Sequence, residues 1–274
     1  MIRMFIFSYA GDAAEAAACV RCARMSVPCA SVTVVDDASH PVQKETAEAL
    51  RSMGAKYVQS SWERHGNLRG PDCIRGMLSG MCREAEDDDI LVKIDCDTAL
   101  LDGGWLRWMQ ERPWCQMYAS GSLVDGEWMI YGCLYALRGR VARRLLRDMD
   151  WENMDALAPE DWTIGRAALA SLPAALVRID EPWNQRTPWS SWTAWCWYSL
   201  TASPERYASR FAVVTTGNPR LDTQPASERA RVMHLLADAR DRMNRKGRVI
   251  REDDEAVDWG GLLAVCRGEA PILQ

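Results

Sequence analysis

Two carboxylates one residue apart close the apolar run Asp89-Ile90-Leu91-Val92-Lys93-Ile94-Asp95-Cys96-Asp97-Thr98. Alternate residues of an extended segment point the same way, so Asp95 and Asp97 would leave the end of a buried strand side by side. Open α/β sheets take their ligands at that end. Oxygen donors so placed suit a hard divalent cation, Mg2+ or Mn2+, which nucleotide sites hold with one or two carboxylates and the substrate's own phosphate oxygens. A strand that runs into an Asp-rich turn would show the same residues. A second acidic pair, Glu160-Asp161, follows Pro159 at a helix start. There the plain reading is capping favoured by the helix dipole.

The elements that must position these acids can be read from pattern. Ile2 to Ser8 is an apolar β-prone run, and Tyr9-Ala10-Gly11-Asp12 turns it into a helix from Ala13 to Met25. A strand over Ala30 to Val35 ends in Asp36-Asp37-Ala38-Ser39, and a helix from about Pro41 to Met53 stops at Gly54. Ala55 to Ser60 is a third strand. The turn-rich loop Gly66-Asn67-Leu68-Arg69-Gly70-Pro71 opens a helix that carries Cys73 to Ala85. Strands alternating with helices predict a parallel, doubly wound sheet whose strand ends share one crevice. Beyond a helix at Gly104 to Glu111, the apolar stretches Trp114 to Ser120, Trp128 to Ile130 and Cys133 to Leu137 predict mixed or antiparallel strands. A helix over Gly139 to Met149 follows, then a loop to the Pro159 helix, a strand over Ala175 to Asp180, a last strand over Arg210 to Thr216, and a helix over Ser227 to Lys246.

Composition narrows the partners. A chain of 274 residues can bury a substantial core, and its net charge of -5 argues against general attraction to nucleic acid or anionic membranes. Nucleic acid stays open only as an acceptor met through a local groove. No apolar run reaches the roughly 18 residues of a membrane span. The first residues, Met1 to Ser8, are too short for a secretory signal, so a cytoplasmic location is expected. Cys19 and Cys22 form a CxxC in an Ala-rich helix without the further ligands of a zinc site, and read as packed thiols. Trp183, Trp189, Trp192, Trp195 and Trp197 crowd one Pro- and Ser-rich stretch, either as an acceptor platform or as a corner of the core.

Val34-Val35-Asp36-Asp37-Ala38-Ser39, Gly66-Asn67, Asp95-Cys96-Asp97 and Glu160-Asp161 occur in the order and rough spacing of nucleotide-sugar glycosyltransferases with the GT-A fold. The chain most resembles the family 2 group, and Pro159-Glu160-Asp161-Trp162-Thr163-Ile164-Gly165 is similar to the acidic helix start of fringe-type transferases. The resemblance covers about residues 1 to 170. It implies an α/β fold, a GT-A (Rossmann-like) mixed, mostly parallel sheet flanked by helices, in a single domain. Residues 1–100 would form its nucleotide-binding half, 101–250 its acceptor-binding and catalytic half, and 251–274 a tail.

The resemblance also implies roles. Asp37 would accept a hydrogen bond from the uracil ring, with Ser8 and Tyr9 flanking the nucleotide and Asp36 orienting the loop. Asn67 and Arg69 would lie by the donor, Arg69 on a phosphate or sugar oxygen. Asp95 would meet the ribose or the metal, and Asp97 the metal, Mn2+ or Mg2+. Asp161, or else Glu160, would take the acceptor's proton, which predicts inversion at the sugar. Ala38 departs from the family's glycine. The C-terminal histidine ligand of many members has no clear counterpart among His40, His65 and His234, and His234 reads as part of an amphipathic helix. The expected reaction is transfer of a sugar from a nucleotide-diphosphate sugar, a UDP-sugar in most of this family, to an acceptor hydroxyl. A sugar nucleotidylyltransferase would need a Gly-rich basic loop after the first strand, which Tyr9 to Asp12 lacks. A module that binds nucleotide sugar or glycan without turnover is the remaining alternative.

Overall fold

The computed structural model describes residues 1–64, 68–180, 195–197, 204–216 and 226–245. Its main sheet begins with four parallel strands, β1 (Ile2–Ser8), β2 (Ser31–Asp36), β3 (Lys56–Gln59) and β4 (Ile90–Asp95). The helices between them are α1 (Ala13–Ser26), α2 (Lys44–Ser52) and α3 (Pro71–Cys82). A short strand β5 (Thr98–Leu100) and helix α4 (Gly104–Gln110) precede the hairpin β6 (Met117–Val124) and β7 (Glu127–Arg138). Helices α5 (Gly139–Asp148) and α6 (Glu160–Ser171) lead to β8 (Val177–Asp180). The last described elements are β9 (Trp195–Trp197), α7 (Pro204–Arg210), β10 (Val213–Thr215) and α8 (Ala226–Arg245).

Seven strands pair in the order β3-β2-β1-β4-β7-β6-β8, and only β7 runs against the rest. The sheet is therefore mixed and mostly parallel, as the alternation of elements predicts. Between β1 and β7, β4 is paired on both edges; its Ile90, Leu91, Val92 and Ile94 are buried, which explains why it reads as a continuous apolar run. One core lies under α1, α4, α7 and α8, and a second on the opposite face under α3, α5 and α6. Cys19 and Cys22 are buried free thiols in the first.

Some elements depart from the sequence pattern. The stretches Trp128 to Ile130 and Cys133 to Leu137 are parts of one strand, β7, whose middle residues 131–133 are half-buried because they face a cleft. The strand expected over Arg210 to Thr216 is confined to Val213–Thr215, with Arg210 closing α7. A second sheet, β5-β10-β9, joins residues more than 110 positions apart. Residues 183–194 of the Trp-rich stretch, Gly66-Asn67, His65 and the tail 251–274 lie outside the described residues.

The loop after β2 is tied down from within. Asp36 is buried and its Oδ2 accepts the Val42 N–H at 2.8 Å and the Tyr57 hydroxyl. Burial raises the pKa of that carboxyl, against the pull of these hydrogen bonds. Asp36→Ala would strand both donors beneath the loop, so denaturant unfolding should show a loss of about 1–3 kcal/mol; an unchanged midpoint would show that the loop needs no such anchor.

Candidate functional site

At the carboxyl ends of β1 and β4 the chain opens a cleft of about 570 Å3, flanked by the middle of β7 and the first turn of α6. Its acids are Asp12, Asp95, Asp97, Glu160 and Asp161, and its cations Arg64, Arg69, Lys93 and Arg229. Larger grooves exist beside α3 (about 700 Å3) and between α5 and α6 (about 670 Å3), but the acids that line them are all exposed. Only in the smaller cleft are carboxylates drawn together out of water.

Lys93 stands at its floor. The side chain is 1% exposed, and its Nζ lies 2.7 Å from Asp95 Oδ1 and 2.7 Å from Glu160 Oε1 while donating to the Gly132 carbonyl. The ammonium thus hydrogen-bonds one carbonyl and lies within ion-pair distance of two carboxylates. Burial works to neutralise Lys93, but Asp95 and Glu160 outweigh it and raise its pKa. The same Gly132 peptide donates its N–H to Asp161 Oδ2 at 3.0 Å, and Asp161 Oδ1 accepts the Trp162 N–H at 2.8 Å. Gly132 must be bare here: a Cβ would sit 3.0 Å from Asp161 Oδ2 and 3.1 Å from Glu160 Oε2.

Backbone pairing sets the start of α6 against the loop before α3. The Glu160 N–H donates to the Leu68 carbonyl at 3.1 Å, and the Gly70 N–H to the Ala158 carbonyl at 3.0 Å. Gly70, at φ +82°, has its missing Cβ position only 2.7 Å from the Ala156 carbonyl oxygen, so a larger residue would push the two loops apart. On the other side, the Asp97 carbonyl accepts the Thr216 N–H at 2.8 Å and its hydroxyl at 2.9 Å, which pins the acid to the end of β10.

The acids pay an electrostatic penalty for this convergence. Asp97 is pushed up to about 7, first by burial and then by Asp95, Glu15 and Asp12. Asp12 is also pushed up to about 7 by burial, although Arg64 at 2.9 Å pulls the other way. Burial raises Glu160 as well, against the attraction of Lys93. Burial is thus the first cause at all three acids.

Of the residues predicted from sequence, Tyr9, Arg69, Asp95, Asp97, Glu160 and Asp161 all line the cleft. Tyr9 carries the Arg64 guanidinium over its ring at 4.8 Å. Ser8 and Asp37 are buried and do not form part of the lining. Asp37, expected at a uracil N–H, gives Oδ1 to the Arg64 N–H at 2.7 Å and Oδ2 to the His40 N–H at 2.9 Å, so a base contact would have to use its remaining lone pairs. Asn67 lies outside the described residues. His234 stands between α1 and α8 with its Nδ1 3.3 Å from Arg21, away from the cleft lining, as expected. Asp12, Arg64, Lys93, Gly132 and Arg229, which pairs with Glu15, were not singled out by sequence. Lys93 alone had a usable signal, a charge inside an apolar strand two residues before Asp95.

Among the described residues no three His, Cys, Asp or Glu side chains form a metal-binding group, and no helix is long and apolar enough to cross a membrane. The donor set nevertheless fits a hard divalent cation that brings part of its shell with it: oxygen ligands at Asp95 and Asp97, an excess of buried negative charge, and open space above them.

No protein-family model and no curated protein matches the chain. Solved structures do. A galactosyltransferase, LgtC, in complex with donor and acceptor sugar analogues superposes with a TM-score of 0.52 at 16% identity, over 86% of this chain and 95% of that one. An active-site variant of LgtC gives 0.52 at 14% identity over the same shares. A glucosyl-3-phosphoglycerate synthase from Mycobacterium tuberculosis, solved with Mn2+, UDP-glucose and phosphoglyceric acid, gives 0.44 at 15% identity over 66% and 69%. The fold is that of the GT-A glycosyltransferases.

The raised acids carry a pH consequence. Unfolded carboxylates titrate near 4, whereas Asp97 and Asp12 keep their protons to about 7 in the folded chain. Between those limits the folded state binds more protons than the unfolded one, so stability falls as pH rises. In chelator, Tm should drop from pH 5 to pH 8, and Asp97→Asn should shrink the drop; a Tm that climbs across that range would contradict the assignment.

Proposed function

We propose that this chain is a metal-dependent glycosyltransferase that moves a sugar from a nucleotide-diphosphate sugar, UDP-linked, to an acceptor hydroxyl. The observation that carries the reading is the meeting, in one cleft of a GT-A fold, of the Asp95-Asp97 pair with an acidic helix start. On this reading residues 1–100 present the nucleotide and residues 101–250 the acceptor. Tyr9, Arg64 and Arg69 contact the donor, arginines being suited to phosphate and sugar oxygens. Ser8 and Asp37 hold the loops that present the base.

Asp97 and Asp95 would hold Mn2+ or Mg2+ together with the donor's diphosphate. When bound, the cation offsets the charge that builds on the departing nucleotide diphosphate. Asp161 receives the acceptor's hydroxyl proton as that oxygen bonds to the anomeric carbon; the bond from that carbon to the diphosphate breaks, and its electron pair leaves with the nucleotide. Attack from the face opposite the leaving group inverts the sugar. The hold of Lys93 on Glu160 and its 4% exposure favour Asp161 over Glu160 for this role. Asp161 is half-buried and, among the described residues, is held by two backbone N–H groups, which leaves lone pairs for a proton.

Substitutions separate these duties. With Mn2+ present, Asp97→Asn should abolish metal-stimulated UDP binding in calorimetry, whereas Asp161→Asn should bind UDP almost normally and turn over roughly 100- to 10,000-fold more slowly. Equal loss of UDP affinity in both would refute the division. Hydrolysis of a UDP-sugar in the absence of acceptor gives a turnover readout that needs no acceptor, and UDP binding without any hydrolysis or transfer would favour a non-catalytic module. Gly132→Ala crowds both carboxylates and should slow the same turnover roughly tenfold or more while the chain stays folded, since small misplacements of catalytic groups are costly.

A further inference from the structure

The acids of the cleft are not balanced by chance: one cation, Lys93, is built into the floor and divided between the two acidic pairs. Its ammonium lies 2.7 Å from both Asp95 Oδ1 and Glu160 Oε1, and its side chain is 1% exposed. Asp95 itself is 28% exposed at its side chain and so faces both the ammonium and the open cleft. Any divalent cation that binds Asp95 and Asp97 meets a positive charge already bonded to one of its ligands.

Resting on the metal-site reading above, we propose that Lys93 is a positioning residue that sets the cleft's affinity for its divalent cation, by competing for Asp95 and by handing its charge to Glu160 when the cation binds. The two acids act as opposite ends of a balance. Strengthening the hold of Glu160 on the ammonium frees Asp95 for the metal; weakening it returns the ammonium to Asp95. Gly132, whose carbonyl accepts from Lys93 and whose N–H holds Asp161, carries any shift of the ammonium to the candidate base. A purely structural lysine would tie the same three elements together but would give no such opposition.

The sign of the effect makes it testable. Lys93→Met keeps the length of the stem and removes the charge, so Mn2+ measured by titration and electron paramagnetic resonance should bind about tenfold or more tightly, the size expected when a charge a few ångström from a divalent ion is lost. Glu160→Gln leaves the ammonium to Asp95 alone and should weaken Mn2+ binding by a similar factor. Opposite shifts support the proposal; equal weakening in both variants, or no change in Lys93→Met, overturns it. Removing one partner of a buried pair can unfold a protein. The double variant Lys93→Met/Glu160→Gln therefore replaces the pair by neutral groups, and it should bind Mn2+ at least as tightly as the wild type; weaker binding overturns the proposal too. Wild-type protein that binds Mn2+ while the variants fail to oppose each other sinks this inference alone. If neither the wild type nor Lys93→Met binds Mn2+, the metal site falls and this inference with it.

Discussion

The constraint on which the cleft depends is the cost of gathering carboxylates where water reaches them poorly. Asp12, Asp95, Asp97, Glu160 and Asp161 line one opening, and burial is the first cause of the raised pKa at Asp97, Asp12 and Glu160. Arg64 pairs with Asp12 and Arg229 with Glu15, while Lys93 is shared by Asp95 and Glu160. Among the described residues Asp97 has no ion-pair partner; its side chain accepts the Thr98 hydroxyl at 3.3 Å, and the attraction of Arg229 is outweighed by burial and the neighbouring acids.

The fold makes that concentration possible by where it puts β4. Paired with β1 on one edge and β7 on the other, β4 is rigid up to Asp95, and its last residues leave the sheet at the ligand-binding ends of the parallel strands. The reversed direction of β7 brings its middle, not its end, across from Asp95: Leu134 pairs with Ile94, so Gly132 and Cys133 lie beside the mouth. Antiparallel pairing of β10 with β5 then clamps the segment after Asp97, with Thr215 opposite Thr98. Two sheets thus meet at the acidic pair, and each immobilises one side of it.

How legible this was in the sequence depends on whether a contact is local. The β-α alternation through Asp95, the acidic helix start at Glu160 and the amphipathic α8 follow from periodicity and capping, which act over a few residues, and those elements lie where pattern puts them. What pattern missed were particular contacts that need a distant partner. The break that seemed to divide Trp128 to Leu137 is half-burial of a continuous strand by a cleft, and β5 is a strand only because β10 lies against it. Likewise Asp37 reads as a free acceptor, whereas the Arg64 and His40 N–H groups meet it only once the loop has folded. Arg64 and Arg229 come from a loop and a late helix whose letters carry no sign of their destination.

The hardest choice left by sequence was between Glu160 and Asp161, adjacent acids in one helical turn that the helix dipole favours equally. Consecutive residues of a helix point about 100° apart, so the two side chains enter the cleft from different directions. Which one turns inward is decided by α6 lying against β7, where Gly132 leaves room for both carboxyl groups. Glu160, with the longer side chain, reaches down to Lys93 and is sealed there. Asp161 is too short for that descent and stays at the mouth, oriented by the Gly132 and Trp162 N–H groups. Hydrogen bonds from uncharged backbone donors hold that carboxylate without committing a cation to it. The difference of a single methylene between neighbouring acids therefore separates the carboxyl sealed against Lys93 from the one left at the mouth of the cleft.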